Sequence, residues 1–140
     1  MPPIDLTSEH GARAQELWRT AEVIWLTTVR ADGTPQPNPV WFVWDGETFL
    51  IYSQPNQQKL HNVARRPIVA LNLNGDGWDR DIVIVTGEAR IAPEEPPAEQ
   101  VPAYVEKYRD RMARLGMTPA EYSRTYTVPI RVRHVSLWGH

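Results

Sequence analysis

The sequence contains no cysteine, which removes disulfide staples and thiolate chemistry from its options. Its four histidines are scattered without HExxH or related spacing, so no metal site is expected. No apolar run is long enough to span a bilayer, and the Pro-rich N-terminus has no signal-peptide core. The expectation is a cytoplasmic protein without membrane association. A formal net charge of -2 gives no broad basic field of the kind a non-specific nucleic-acid binder uses. Lysine is nearly absent: Lys59 and Lys107 stand alone among basic side chains that are otherwise arginine. At 140 residues the chain suits a single domain, residues 1–140.

What is present reads as strands separated by strong punctuation. A first helix over residues 7–21, capped by Thr7 or Ser8, carries Ala12, Ala14, Leu17, Trp18 and Ala21 toward a core. VIWLTTVR then changes to the β-branched and aromatic composition of a strand, ending at the Asp32-Gly33 turn. Pro35, Pro37 and Pro39 lack amide donors, so 35–39 is an edge or a bulge, with backbone groups of Gln36 and Asn38 left for a ligand. Val40–Trp44 resumes that second strand. After Asp45-Gly46 a third strand alternates Phe49, Ile51 and Ser53 against Leu50 and Tyr52.

A helix over 57–66, with Asn56 as its cap and Leu60, Val63 and Ala64 inward, ends at Pro67. IVALNLN reads as a buried fourth strand. Gly75-Asp76-Gly77 opens a loop carrying Trp78 and Arg80, and DIVIVTGEARIA is a fifth strand. Residues 97–126 form a helical insertion: one helix stopped by Gly116, a second opened by the Thr118–Glu121 capping box, with Pro129 ending the region. IRVRHVSLW is a sixth strand. The sum is mainly β with peripheral helices, six antiparallel strands closed or partly closed into a small barrel.

Lys59 falls in the first turn of the 57–66 helix, where unpaired amides and the helix dipole already favour an anion. The choice there lies between a phosphate ligand and a solvated lysine. Tyr52 and Ser53 end the preceding strand beside it, as ligand groups or an ordinary strand end. Trp25, Trp41 and Trp44 suit core or subunit contacts. Tyr104, Tyr108, Tyr122 and Tyr126 either roof a substrate pocket or pack.

The DGTPQPNPVWF hairpin and the SQPNQQKLHNVARRP segment together resemble the pyridoxamine-phosphate-oxidase-like split β-barrel proteins, and among them the branch that binds the deazaflavin coenzyme F420. The resemblance implies a homodimer with two cofactor sites at the subunit interface. The ring would lie along Gln36, Pro37, Asn38, Pro39 and Val40 and along Ile51, Tyr52 and Ser53. The phosphate would meet Gln57, Gln58 and Lys59, with the loop carrying Trp78 and Arg80 arriving from the other subunit. Arg30, Arg65, Arg66 and Arg80 are candidates for an acidic cofactor tail.

Flavin mononucleotide (FMN) binders of this kind commonly carry an Arg-Lys pair where this chain has Gln58-Lys59. Arg133-His134 does not reproduce the C-terminal motif of true pyridoxamine-phosphate oxidases. The implied function is an F420-dependent oxidoreductase moving hydride between the deazaflavin and a small electrophilic substrate, with no catalytic side chain named. The alternatives are an FMN reductase or oxidase of the same fold, and a non-catalytic carrier or sensor of cofactor or haem.

Overall fold

A computed structural model describes residues 5–78 and 80–139. Among these residues seven strands form one antiparallel sheet: β1 (Ile24–Val29), β2 (Pro35–Val40), β3 (Val43–Trp44), β4 (Thr48–Ser53), β5 (Ile68–Asn72), β6 (Val83–Ile91) and β7 (Val128–Gly139). Their spatial order is β2-β1-β5-β6-β7-β4-β3. Four α-helices accompany them: α1 (Glu9–Thr20), α2 (Gln58–Arg65), α3 (Pro102–Arg114) and α4 (Pro119–Thr125). Among the described residues no helix is long and apolar enough to cross a membrane.

The strand count corrects the expected six, and the reason is topological. What reads as one second strand is two: β2 pairs only with β1, and β3 pairs with β4 at the far end of the sheet. Trp41 and Phe42 carry the chain from one sheet edge to the other, so the sheet must curl until its ends meet at this seam. The 35–39 segment is an edge strand in full register, with Trp25 opposite Pro39 and Thr27 opposite Pro37. Proline has no amide hydrogen, so the two-way ladder bonds can fall only on Gln36, Asn38 and Val40. The Gln36 and Asn38 amides are therefore spent on β1, contrary to the expectation that they stay free.

Both Asp-Gly turns form, with Gly33 at φ 92 and Gly46 at φ 98, in the left-handed region that glycine enters without a Cβ penalty. Between Thr86 and Gly87 the β6–β7 register shifts by one residue. A Cβ at Gly87 would lie 2.7 Å from a Val132 methyl and 2.9 Å from the Arg133 carbonyl, so glycine lets the bulged strand close in.

Local signals explain the helix ends. Ser8 caps α1 through its hydroxyl, which accepts from Gly11 N at 3.0 Å, and Thr118 and Glu121 make the reciprocal capping box of α4. Two expectations fail at α2. Its cap is Gln57, with no side-chain bond, because Asn56 sits at φ 63 outside the helix, and Ala64 is exposed while Asn62 is buried. Likewise Ala12 is exposed on α1, Ile68 on β5 is 53% exposed, and β7 begins before Pro129.

Two cores result. Trp18, Leu26, Phe49, Ile51, Leu71, Val85 and Ile130 fill the barrel. A second cluster, Val43, Leu50, Tyr52, Tyr104, Tyr108, Met112 and Tyr122, packs α3 and α4 onto the outside of β3 and β4. β4 is thus covered on both faces, and every residue from Phe49 to Ser53 is buried.

Candidate functional site

A cleft of about 230 Å³ opens across the seam, lined by Pro39, Val40, Trp41, Tyr52, Ser53, Gln54, Gln57, Lys59, Tyr122 and Tyr126. One wall is the end of the edge strand β2 and the opposite wall is the end of β4. α2 supplies a polar end and α4 an aromatic one.

The polar end is built on a buried amide. Asn62 is fully buried, and its Nδ2 donates to the Thr28 hydroxyl and to Gln36 Oε1, both at 2.9 Å. Gln58 Nε2 donates to Asn62 Oδ1 at 2.9 Å. One side chain thereby ties α2 to β1 and β2, and a buried amide with these partners satisfied is stabilising where a bare one would be costly. This fixes the first turn of α2, which has neither a side-chain cap nor an acidic residue. Lys59 lies in that turn, half-buried, and burial lowers its pKa from the usual lysine value. Among the described residues no carboxylate pairs with it. A half-buried cation beside helix amides without a side-chain cap is an arrangement that suits an anion.

The aromatic end is a run of parallel rings. Trp41 stacks on Tyr108 (centroids 4.6 Å apart, planes 3° apart) and on Tyr122 (5.2 Å, 6°), and Tyr122 stacks on Tyr126 (4.3 Å, 14°). The hydroxyls of Tyr104 and Tyr122 bond each other at 2.8 Å, and Tyr52 donates to the Pro96 carbonyl at 2.5 Å. Burial first, then the nearby Glu95 carboxylate, pushes the Tyr52 phenol up to about 12. Burial also raises Tyr104, Tyr108 and Tyr122. These phenols stay protonated at neutral pH.

Of the candidates named from the sequence, Pro39, Val40, Tyr52, Ser53, Gln57 and Lys59 line this cleft together. The others lie elsewhere. Gln36 and Gln58 spend their side chains on Asn62, Ile51 is fully buried inside the barrel, and Pro37 is exposed on the outer sheet face. Asn38 is half-buried beside Leu26. Trp78 is 79% exposed on the β5–β6 loop, and Arg80 there pairs with Asp76 at 3.5 Å. Sequence reasoning missed Asn62, whose signal was a polar residue among the inward positions of α2. Trp41, suited by sequence to core or subunit contacts, lines the cleft, and so do Tyr122 and Tyr126, for which roofing a pocket and packing are both open in the sequence because rings that form a wall and rings that fill a core share one spacing.

A search of curated proteins by sequence finds no match. Among solved structures, an F420 reductase is 28% identical with a TM-score of 0.69, covering 89% of this chain and 94% of its own. A conserved hypothetical protein of Mycobacterium tuberculosis is 27% identical with a TM-score of 0.69, covering 95% and 85%. A haem-storage protein of Vibrio cholerae, at 14% identity, TM-score 0.64 and coverage of 94% and 95%, shares the fold. The family model described as pyridoxamine 5'-phosphate oxidase matches residues 11–139, nearly the whole chain, and on that match this protein belongs to the pyridoxamine 5'-phosphate oxidase family.

Proposed function

We propose that this protein is an F420-dependent oxidoreductase, working as a homodimer, that moves hydride between the deazaflavin and a small electrophilic organic molecule. The observation that carries the reading is Lys59: a half-buried cation with no carboxylate partner among the described residues, on a helix start without a side-chain cap, in an aromatic-walled cleft. The residues fit the cofactor's two chemistries. Lys59 and the first amides of α2 would hold a phosphate, with the Ser53 hydroxyl, which donates to the Gln54 carbonyl at 2.8 Å, beside it, while Pro39, Val40 and Trp41 would flank the ring.

The choice of deazaflavin over flavin mononucleotide rests on charge. Gln58, where a second cation would stand, is turned to Asn62, so among the described residues Lys59 is the sole cation lining the cleft. One cation suits the single charge of a phosphodiester better than the double charge of a phosphate monoester. The 28% identity to an F420 reductase points the same way.

A homodimer is supported by two features. At about 230 Å³ the single-chain cleft is smaller than the roughly 300–1,000 Å³ of ordinary cofactor pockets, so more wall is needed. The outward face of β2, β1 and β5 beside it carries Pro37, Trp25, Thr27, Val29 and Ala70 without a charged side chain, an unusual surface for a monomer and a fitting one for a second copy. The exposed Trp78 loop would then be the segment that reaches the neighbouring cleft.

Bound deazaflavin would supply the hydride chemistry. The chain's own task is to orient the ring, exclude water and supply a proton. Tyr52 has its proton committed to the Pro96 carbonyl, which leaves Tyr122, Tyr126 or solvent as the proton source. Side-by-side calorimetric titration of apo-protein with F420 and FMN tests the reading. Tighter F420 binding supports it, tighter FMN binding replaces it with a flavin enzyme, and F420 binding without turnover across an electrophile panel leaves a carrier. A concentration-independent monomer in sedimentation would overturn the shared site.

A further inference from the structure

We propose that Lys107 and Tyr108, side by side on α3, are positioning residues that set the orientation of the Trp41 indole in the cleft wall. The inference starts from the backbone at the seam. Trp41 and Phe42 belong to no strand, so Phe42, which is fully buried, must find hydrogen-bond partners outside the sheet. Both of its polar groups go to α3. Its amide donates to the Tyr108 hydroxyl at 2.8 Å, and its carbonyl accepts from Lys107 Nζ at 3.0 Å and lies 2.9 Å from the Tyr108 oxygen. The phenol has one proton for two carbonyls, those of Phe42 and Glu22, each at 2.9 Å.

Lys107 reaches further. Its ammonium also donates to the Trp18 carbonyl at the end of α1, at 3.2 Å, and stands 3.9 Å over the Phe42 ring. That gives the cation a π face and two carbonyls in place of a carboxylate. The same Tyr108 whose hydroxyl holds Phe42 lays its ring against Trp41, with planes 3° apart. One side chain therefore fixes the backbone of the crossing and the plane of the neighbouring indole. Neither α3 residue lines the cleft; they act through Trp41.

The proposal rests on the cleft being a ring-and-phosphate site, and the experiment separates the two ideas. Tyr108→Phe keeps the stacking ring and deletes the hydroxyl; Lys107→Met keeps the stem and deletes the charge. Each is titrated with riboflavin and with the deazaflavin-ribityl ring, which lack phosphate, and with glycerol 1-phosphate, which lacks a ring. Expected is a loss of roughly five- to tenfold for the ring probes with glycerol phosphate unchanged, and a double variant little worse than the poorer single one. Equal loss for all probes, or a lowered melting temperature with ring affinity unchanged, would overturn it.

A ligand-free measurement stands beside this. With 5-fluorotryptophan incorporated, the Trp41 ¹⁹F resonance, assigned through Trp41→Phe, is expected to shift in Tyr108→Phe more than those of the other five tryptophans. An unmoved Trp41 signal refutes the positioning role whatever the cleft binds. Failure of the wild type to bind any probe, with the fluorine shift present, refutes the cofactor reading and leaves the positioning role standing.

Discussion

The two ends of the cleft are held by different forces. At the polar end, Asn62 secures α2 through hydrogen bonds that have fixed partners and directions. At the other, Trp41, Tyr122 and Tyr126 meet one another by ring stacking, with the Tyr104 hydroxyl on Tyr122 and the hydrogen-bonded Tyr108 behind Trp41. A directional network loses much when one member is removed, since its neighbours are stranded in a dry interior. A stack loses contact area and one pair term, and the remaining rings can settle. The polar end should therefore be brittle and the aromatic end graded.

Asn62→Leu is the strongest way to break that contrast. It strands the buried Thr28 hydroxyl and frees the half-buried Gln36 and the exposed Gln58 from their partner, and a loss of about 1–3 kcal/mol in urea unfolding is expected. A loss under about 0.5 kcal/mol would mean that the amide network is not what anchors α2. Next comes Lys59→Ala. F420 affinity should fall by about 1–3 kcal/mol in calorimetry, the range for a hydrogen bond to a charged group. The apo-protein should lose no stability, because burial disfavours the charge it carries. Unchanged affinity would remove Lys59 from the site.

The aromatic end should respond more gently. Tyr126→Ala removes one stacked pair and should weaken ring binding by about 0.5–1.5 kcal/mol with phosphate probes unaffected. An effect on glycerol phosphate as large as that on riboflavin would erase the distinction between the ends.

The smallest effect is one of pH, and it has opposite signs in two groups of residues. Burial lowers Lys107 from 10.5 to about 8, with the lowered Lys59 acting in the same sense, so between these values the unfolded chain binds more protons and stability rises with pH. The buried tyrosines run the other way. Tyr104, Tyr108 and Tyr122 are raised above 10.0, so at higher pH the unfolded phenols ionise first and stability falls. Unfolding measured from pH 8 to 11 should show a shallow maximum between about pH 9 and 10. Lys107→Met should flatten the rise and keep the fall, and a monotonic profile in the wild type would contradict both assignments.

Much of this was legible where the cause is local. Asp32-Gly33 and Asp45-Gly46 make their turns from their own φ preferences, and Thr118–Glu121 caps α4 with atoms three residues apart. Lys59 could be placed at a helix start for the same reason. The division of 35–44 into β2 and β3 could not be read, because it depends on which distant strands lie at the two sheet edges. Asn62 was hidden by its type, since a polar residue on a helix is normally exposed, and its partners lie 34 and 26 positions away. Lys107 and Tyr108 were invisible as a pair for a related reason. What they satisfy is the Phe42 backbone, whose lack of a strand partner follows from the curl of the sheet.

That curl also joins binding to folding. The cleft walls belong to strands that stand at or beside the two free margins of the sheet and are joined there by only two residues. A ligand touching both walls acts as a fastener, and a barrel that springs open at this margin cannot retain it. A ligand bound across the margin should therefore raise the melting temperature as its concentration rises.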